Sequence, residues 1–138
     1  MKAELKSGTI SYIDQGSGPA VLLLHAFPLN NTMWSPQVAV LSSRVRVIAP
    51  DMRGFGESLP ASPWTMGGMA DDLNEFLDQL GIASCAVVGV SIGGYIALTF
   101  WSKYPNRISQ LVHSNSRARP DNDAEKAARN DMIGAVEK

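Results

Sequence analysis

Apolar residues follow two patterns along this chain, and each pattern predicts a different kind of strand. Alternating apolar and polar side chains at 3–6 and 9–13, joined across Ser7-Gly8, predict an antiparallel hairpin. Continuous apolar runs bounded by turn residues predict strands that are covered on both faces, as in a parallel sheet. Such runs lie at 20–24, 45–49 and 85–90, and one more strand is predicted at 108–114.

Helical spacing of apolar residues predicts helices between the later strands. The first is predicted to be capped by Asn31 or Thr32 and to place Trp34, Val38 and Leu41 on one face. Two others run from Met66 to the stop signal at Gly81, and from the strand at 85–90 to Tyr104-Pro105. Strands that alternate with helices predict an α/β fold with a mostly parallel, doubly wound sheet after the hairpin.

The final segment is polar, and its pattern predicts one more helix. An aspartate at 121 or 123 is positioned to start this helix, and Glu125 is spaced to pair with Arg129. We therefore divide the chain into 1–119, the N-terminal part of an α/β core, and 120–138, the start of a helical cap or a terminal helix.

Composition and charge narrow the partners that the chain can have. Its 138 residues with 45% hydrophobic content can bury one core. A net charge of -1 leaves no basic surface for nucleic acid or anionic lipid. The single cysteine, Cys85, cannot form an intramolecular disulfide. Residues 1–8 lack the apolar stretch of a signal peptide, and no apolar run of the chain approaches membrane-spanning length. We therefore expect a cytoplasmic protein that binds neither nucleic acid nor a membrane.

The stretch Gly89-Val-Ser-Ile-Gly93 joins an apolar strand to an apolar helix, which is the context of a nucleophile elbow. Small residues on either side of Ser91 allow a sharp turn that exposes its hydroxyl, and the N-H of Ile92 lies at the start of the helix. Ser91 is thus a candidate nucleophile and Ile92 a candidate oxyanion donor. The alternative is a tight turn with a capping serine. A phosphate loop lacks its Gly-Lys-Ser/Thr ending here, and a dinucleotide fingerprint would need glycine at position 91.

Together with two earlier stretches in the same order, this motif resembles the α/β-hydrolase superfamily. The two are His25-Ala-Phe-Pro, after the third strand, and Asp51-Met-Arg-Gly-Phe-Gly-Glu-Ser, after the fourth. The sequences of these motifs are similar to those of small esterases, enol-lactonases and cofactor-free haloperoxidases, in which the first motif usually reads His-Gly-Phe-Pro. If that loop needs a positive φ at position 26, alanine would cost about 1 kcal/mol there.

The resemblance also implies roles for the residues around these motifs. The N-H of Phe27 would be the second oxyanion donor, and His25, Asp51 and Arg53 would support the loops. His25 as a base and Asp51 with Arg53 as an acid-base pair are the catalytic alternatives. A turn carboxylate that binds its own backbone is the structural alternative for Asp51.

The catalytic acid and base of such enzymes are not found in the expected order. The family's triad runs serine, acid, histidine along the chain. Only two histidines occur here: His25 precedes Ser91, and His113, which we expect to be packed on the sheet and hydrogen-bonded there, precedes the next carboxylate, Asp121. The resemblance covers about six of the usual eight strands, so the acid and the base would come from residues outside this sequence.

We therefore predict a serine hydrolase of small-molecule carboxylic esters or lactones that uses no cofactor and no metal ion. One alternative is a non-catalytic half-fold that persists as an oligomer, and another is a peroxide-dependent acyl transfer of the haloperoxidase or perhydrolase type. The strand at 108–114 would be an open edge rich in apolar residues, which favours pairing with another chain. The expected partner is a second copy of the chain or a complementary C-terminal fragment.

Overall fold

The computed structural model describes residues 1–60 and 65–136. Within them the chain forms an α/β structure, with 3-10 turns at Asn31–Trp34 and Pro105–Arg107. The strands are β1 (Lys2–Leu5), β2 (Gly8–Gln15), β3 (Ala20–Leu24), β4 (Arg46–Pro50), β5 (Leu59–Pro60), β6 (Cys85–Val90) and β7 (Ile108–Ser114). The helices are α1 (Ser35–Leu41), α2 (Met66–Gln79), α3 (Ile92–Lys103) and α4 (Asp123–Val136). The last two residues of the predicted segment 120–138 lie outside the described residues.

The strands form one mixed sheet in the order β1-β2-β4-β3-β6-β7, with β5 paired to β2. The hairpin β1-β2 is antiparallel and joins β4 in antiparallel fashion, whereas β4, β3, β6 and β7 are mutually parallel. This confirms the predicted sheet. The short strand β5 is absent from the sequence-based prediction because two residues carry no periodicity, and only their pairing with Gly8 and Thr9 defines the strand.

Both faces of the sheet are covered, because side chains of the central strands point alternately to opposite sides. Leu22, Leu24 and Ile48 lie on the face packed by α2 and α3, together with Phe76 and Phe100. Leu23 and Val47 point to the opposite face, where Trp34 and Val38 cover them. The predicted doubly wound arrangement is therefore present, and Cys85 is buried in its core. None of the helices within the described ranges is both long and apolar enough to cross a membrane.

The start of the first helix differs from the prediction. Asn30, rather than Asn31 or Thr32, is the cap: its side chain accepts a hydrogen bond from the backbone N-H of Thr32. A 3-10 turn follows, and the α-helix itself begins only at Ser35. Adjacent residues of this stretch can all cap a helix, so composition alone does not identify the capping residue.

The helix α4 begins at Asp123, one of the two predicted starting residues, and the residue before it, Asn122, caps it. The Asn122 side chain accepts from the N-H of Glu125 at 2.9 Å, and the Glu125 carboxylate accepts from the N-H of Asn122 at 2.9 Å. This reciprocal pair is a capping box. Glu125 does not pair with Arg129. It binds Arg117 and Arg119, and Arg129 binds Asp121 instead.

Candidate active site

The carboxyl ends of the four parallel strands lie at one edge of the sheet, and the chemically distinctive residues follow them directly. His25 comes after β3, Asp51 after β4, Ser91 after β6 and Asn115 after β7. Ligands of open α/β sheets bind at this edge. The topology therefore brings the three motifs of the sequence together, although they are far apart along the chain.

Ser91 adopts a backbone conformation that is rare for a residue with a side chain. Its φ is 55° and its ψ is −116°, which costs on the order of 1–3 kcal/mol. Glycines on both sides make the turn possible. A Cβ at Gly89 would overlap the carbonyl of Gly93, and a Cβ at Gly93 would overlap the carbonyls of Leu24 and His25. The strand-turn-helix geometry predicted for the elbow is therefore present, with Ser91 half-buried at its tip.

The two residues whose backbone N-H groups are candidate oxyanion donors lie at the start of α3 and on the loop after β3. Ile92 is the first residue of α3, so its N-H has no acceptor within the helix. Phe27 lies on the loop after β3, where the N-H of Leu29 donates to the Ala26 carbonyl at 2.9 Å. The Phe27 side chain is 60% exposed and packs edge-on to Phe55 with ring centroids 5.9 Å apart.

Ala26 does not need the backbone conformation that would favour glycine. Among the described residues other than glycine, only Ser91 and Asn115 have a positive φ. The loop does not need a positive φ at position 26, so the backbone strain that was expected there on that condition does not arise. Its N-H instead donates to the sulfur of Met33 at 3.3 Å, so the loop is tied to the turn that precedes α1.

His25 uses both of its ring nitrogens inside the protein. Its Nε2 accepts from the backbone N-H of Met52 at 3.0 Å, which requires Nδ1 to carry the proton and to donate to the Ala26 carbonyl at 3.0 Å. Burial lowers the pKa of His25, against the opposing effects of the Ala26 carbonyl and the Asp51 charge. The neutral ring therefore bridges two loops and has no free nitrogen to take a proton from Ser91.

Asp51 binds backbone groups and not a catalytic partner. Its Oδ1 accepts from the N-H of Asn31 at 2.7 Å, and its Oδ2 accepts from the N-H of Glu57 at 2.9 Å. A Cβ at Gly56, where φ is +53°, would overlap this carboxylate. The geometry is that of a turn carboxylate that organises the loops after β3 and β4.

Arg53 forms a buried ion pair with Asp72 of α2. The guanidinium Nε donates to Oδ2 at 2.7 Å and Nη2 donates to Oδ1 at 2.5 Å. This two-point contact fastens the loop after β4 to α2. Pairing of Arg53 with Asp51 was one alternative expected from the motif, whereas this two-point contact is made to a carboxylate on a helix outside the motif.

His113 lies on β7 opposite Gly89 of β6. Its Nε2 is buried and has no hydrogen-bond partner among the described residues, so the expected satisfied histidine is not what the structure shows. A Cβ at Gly94 would lie 2.9 Å from its Cδ2. The side chain therefore packs against the first turn of α3.

An open cavity of about 350 Å³ lies beside the elbow, lined by Tyr95, Asn115, Ser116 and Arg117. Tyr95 is one helical turn beyond Ser91, and Ser116 follows β7. Hydrogen bonds that Arg117 donates to Tyr95 and Glu125 raise the pKa of its guanidinium, which stays charged at this rim. Asn115 and Ser116 are not among the residues predicted for the site, because nothing in their local sequence pattern signals their proximity to Ser91.

Comparison with known proteins agrees with this geometry. A thermophilic esterase from Thermogutta terrifontis is 37% identical and superposes with a TM-score of 0.93, over 100% of this chain and 54% of the esterase. The N-acyl homoserine lactonase AidH is 31% identical with a TM-score of 0.80, over 84% of this chain and 44% of the lactonase. Epoxide hydrolase 2 of Siraitia grosvenorii is 45% identical over 102 residues, which are 71% of this chain and 32% of that enzyme.

The chain thus spans about half or less of the length of these relatives. The family model of the alpha/beta hydrolase fold matches residues 19–135, which include all three motifs and most of α4. This chain belongs to the α/β-hydrolase family.

Proposed function

We propose that this chain carries the nucleophile and the oxyanion donors of a serine hydrolase that acts on carboxylic esters or lactones. The observation that carries the proposal is Ser91 itself, held at φ 55° on a strand-to-helix turn at the carboxyl edge of the sheet. Such strain is retained where a hydroxyl must be presented to a substrate. The similarity to an esterase and to a lactonase supports the acyl substrate class.

In this proposal Ser91 acts as the attacking group. Its Oγ forms a bond to the acyl carbon while its proton passes to a general base, and the carbonyl electron pair moves onto oxygen. The N-H groups of Ile92 and Phe27 stabilise the resulting oxyanion. Collapse of this intermediate breaks the bond to the alcohol oxygen, which takes up a proton, and water later hydrolyses the acyl-enzyme.

The general base and its acid are proposed to come from residues outside this sequence. His25 has both nitrogens in other hydrogen bonds. His113 packs against Gly94, and within the described residues no hydrogen bond joins it to Ser91. The chain's span of about half of its relatives leaves room for these groups elsewhere in a longer polypeptide.

Acylation of Ser91 by a p-nitrophenyl ester tests the proposal directly. Because the base is missing, we expect slow formation of an acyl-enzyme and little turnover, since a serine hydrolase that lacks a triad member retains roughly 10³- to 10⁴-fold catalysis over water. Intact-mass spectrometry should show one acyl group. Ser91→Ala should abolish it, and Ser43→Ala, which removes an exposed serine elsewhere, should not.

Two results of this experiment would contradict the proposal. A wild-type chain that folds but gains no more label than Ser91→Ala would favour a non-catalytic fold. Full esterase turnover by the 138-residue chain would show that the base is present after all.

We also propose that the open edge of β7 pairs with a second copy of the chain or with a complementary fragment. In the described part of the sheet β7 has a neighbour on one side only, and Val112 on it is 51% exposed. An apolar edge of this kind templates strand pairing. The same pairing is expected under the alternative hypothesis, in which the chain is a non-catalytic oligomeric unit.

Light scattering at micromolar concentration tests this pairing. Val112→Lys should reduce the assembly to soluble monomers, because a charge on an exposed edge opposes pairing. Leu111 is a poorer choice, since it packs against the core and its replacement would unfold the chain as well. A stable wild-type monomer would refute the proposed assembly.

A further inference from the structure

The last residue of β7 and a serine just after the strand hold the two backbone groups of Ser91. The carbonyl of Ser114 accepts from the Ser91 N-H at 3.2 Å. The hydroxyl of Ser116 donates to the Ser91 carbonyl at 2.8 Å. The neighbouring strand therefore contacts the elbow on both sides of the candidate nucleophile.

Local backbone features allow this contact. Asn115, between the two contacting residues, has a φ of 44°, a conformation in which asparagine is enriched. A Cβ at Gly94 would lie 2.6 Å from the Ser116 hydroxyl oxygen and 2.7 Å from its Cβ. The absence of a side chain at Gly94 thus makes the space that the serine occupies.

The Ser91 carbonyl matters for chemistry because of what is bonded to it. The Ser91 C=O and the Ile92 N-H belong to the same planar peptide group. Any hydrogen bond that fixes the direction of the carbonyl also fixes the direction of that N-H. The amides of Gly94 and Tyr95 approach the same carbonyl at 3.0 and 3.4 Å, so the Ser116 hydroxyl, at 2.8 Å, makes the shortest of its three contacts.

We propose that Ser116 is a positioning residue that orients the oxyanion donor Ile92 through the Ser91 peptide plane. The inference rests on the proposed function, in which the Ile92 N-H stabilises the oxyanion. Ser116 itself does not touch the substrate atoms that react. Its hydroxyl limits rotation of one peptide group, and that peptide carries the donor.

A matched pair of variants at position 116 separates the hydroxyl from the shape of the side chain. Ser116→Thr keeps the hydroxyl, whereas Ser116→Val replaces it by a methyl group in a side chain of nearly the same shape. Loss of an entire oxyanion donor costs on the order of 10²- to 10³-fold in rate. Because two amides still hold the Ser91 carbonyl, we expect a smaller effect, with the valine variant about tenfold slower than the threonine variant.

The measurement is the rate of Ser91 acylation by a p-nitrophenyl ester as a function of ester concentration. The limiting rate should fall in Ser116→Val, and the concentration at half-saturation should stay level, because the donor acts on the oxyanion and not on the bound ester. The free energy of unfolding, measured in urea, should be similar in the two variants. Equal limiting rates in the valine and threonine variants would overturn the proposal.

Two further measurements keep the test decisive. If Ser116→Val does not fold, Ser116→Ala removes the hydroxyl without added bulk and is compared with the wild type. If the wild-type chain is not acylated at all, the proposed function fails, and amide NMR then tests the positioning alone. The Ile92 amide shift and the hydrogen exchange of Gly94 should differ between variants with and without the hydroxyl; identical values would refute the positioning role.

Discussion

Replacement of His25 should weaken the fold around the site without removing a catalytic proton acceptor. The ring is fully buried, and its two nitrogens bind the Met52 N-H and the Ala26 carbonyl, each at 3.0 Å. His25→Ala would leave the Met52 N-H without an acceptor, at a cost of about 1–3 kcal/mol. The lost edge-to-face contact with Phe55, whose ring centroid is 5.2 Å away, adds about 0.5–1.5 kcal/mol. We expect a total loss of about 1.5–4.5 kcal/mol in the free energy of unfolding.

A second variant separates the hydrogen bonds from the packing. His25→Phe keeps an aromatic ring against Phe55 but removes both nitrogens, so only the hydrogen-bond part of the loss, about 1–3 kcal/mol, should remain. Urea unfolding followed by tryptophan fluorescence measures both variants. Acylation of Ser91 should slow as the loop carrying Phe27 shifts, but its dependence on pH should keep the same shape.

The pH dependence of stability gives an independent check. Burial lowers the pKa of His25 below its ordinary value of 6.5. The unfolded chain therefore binds a proton below about pH 6.5 that the folded chain does not bind, and the free energy of unfolding falls as the pH drops through this range. Above pH 6.5 the contribution is complete and constant. His25→Phe should lack this component.

The opposite combination of results would contradict a purely structural role for His25. If His25→Phe leaves stability unchanged but removes an ionisation from the pH profile of acylation, His25 acts as the base.

Two more predictions concern the elbow glycine and the start of α4. Gly93→Ala should prevent stable folding, because its Cβ would overlap the backbone carbonyls of Leu24 and His25. The control Gly81→Ala, at φ +68° with nothing within 4 Å, should cost only about 1 kcal/mol of strain. Thermal unfolding compares the two variants, and equal losses of stability would contradict the steric explanation. Hydrogen bonds from Arg119 and Asn122, and from Arg117, lower the pKa of Glu125 to about 2, so its contribution is complete above its ordinary pKa of 4.5 and is lost as the pH falls toward 2. Glu125→Gln should therefore loosen α4 already at neutral pH, which would appear as faster amide exchange in residues 123–131. The control Asp123→Asn, which removes an exposed carboxylate paired with Lys126, should leave the exchange unchanged. No change in Glu125→Gln would show that the capping box and its arginines do not hold the helix.

Much of the fold could be predicted because long-range order in this chain follows from local apolar patterns. The hairpin, the covered strands and α2 and α3 all carry a clear period of two, a continuous apolar run or a helical stripe. The start of α1 was assigned wrongly because neighbouring residues compete for the same cap. The strand β5 has too few residues for any pattern, so only its partner strand defines it.

The site was predictable where its chemistry lies within a few consecutive residues. Gly89, Ser91 and Gly93 form a steric unit that can be recognised in the sequence, although their catalytic roles remain predictions. Contacts between distant segments could not be predicted in this way. Asp72 lies opposite Arg53, and Ser116 reaches Ser91, only because of the way in which helices and strands pack in space.

The single carboxylate of Asp51 has a consequence for attempts to recombine members of this family. One of its oxygens holds the N-H of Asn31 in the loop after β3, and the other holds the N-H of Glu57 in the loop after β4. A chimera that took either loop alone from a relative would place a buried acceptor beside a loop that was not shaped for it. An unpaired group of this kind is costly enough to abolish folding in a marginal protein. These two loops should therefore be transferable between relatives only as a pair, with their shared aspartate.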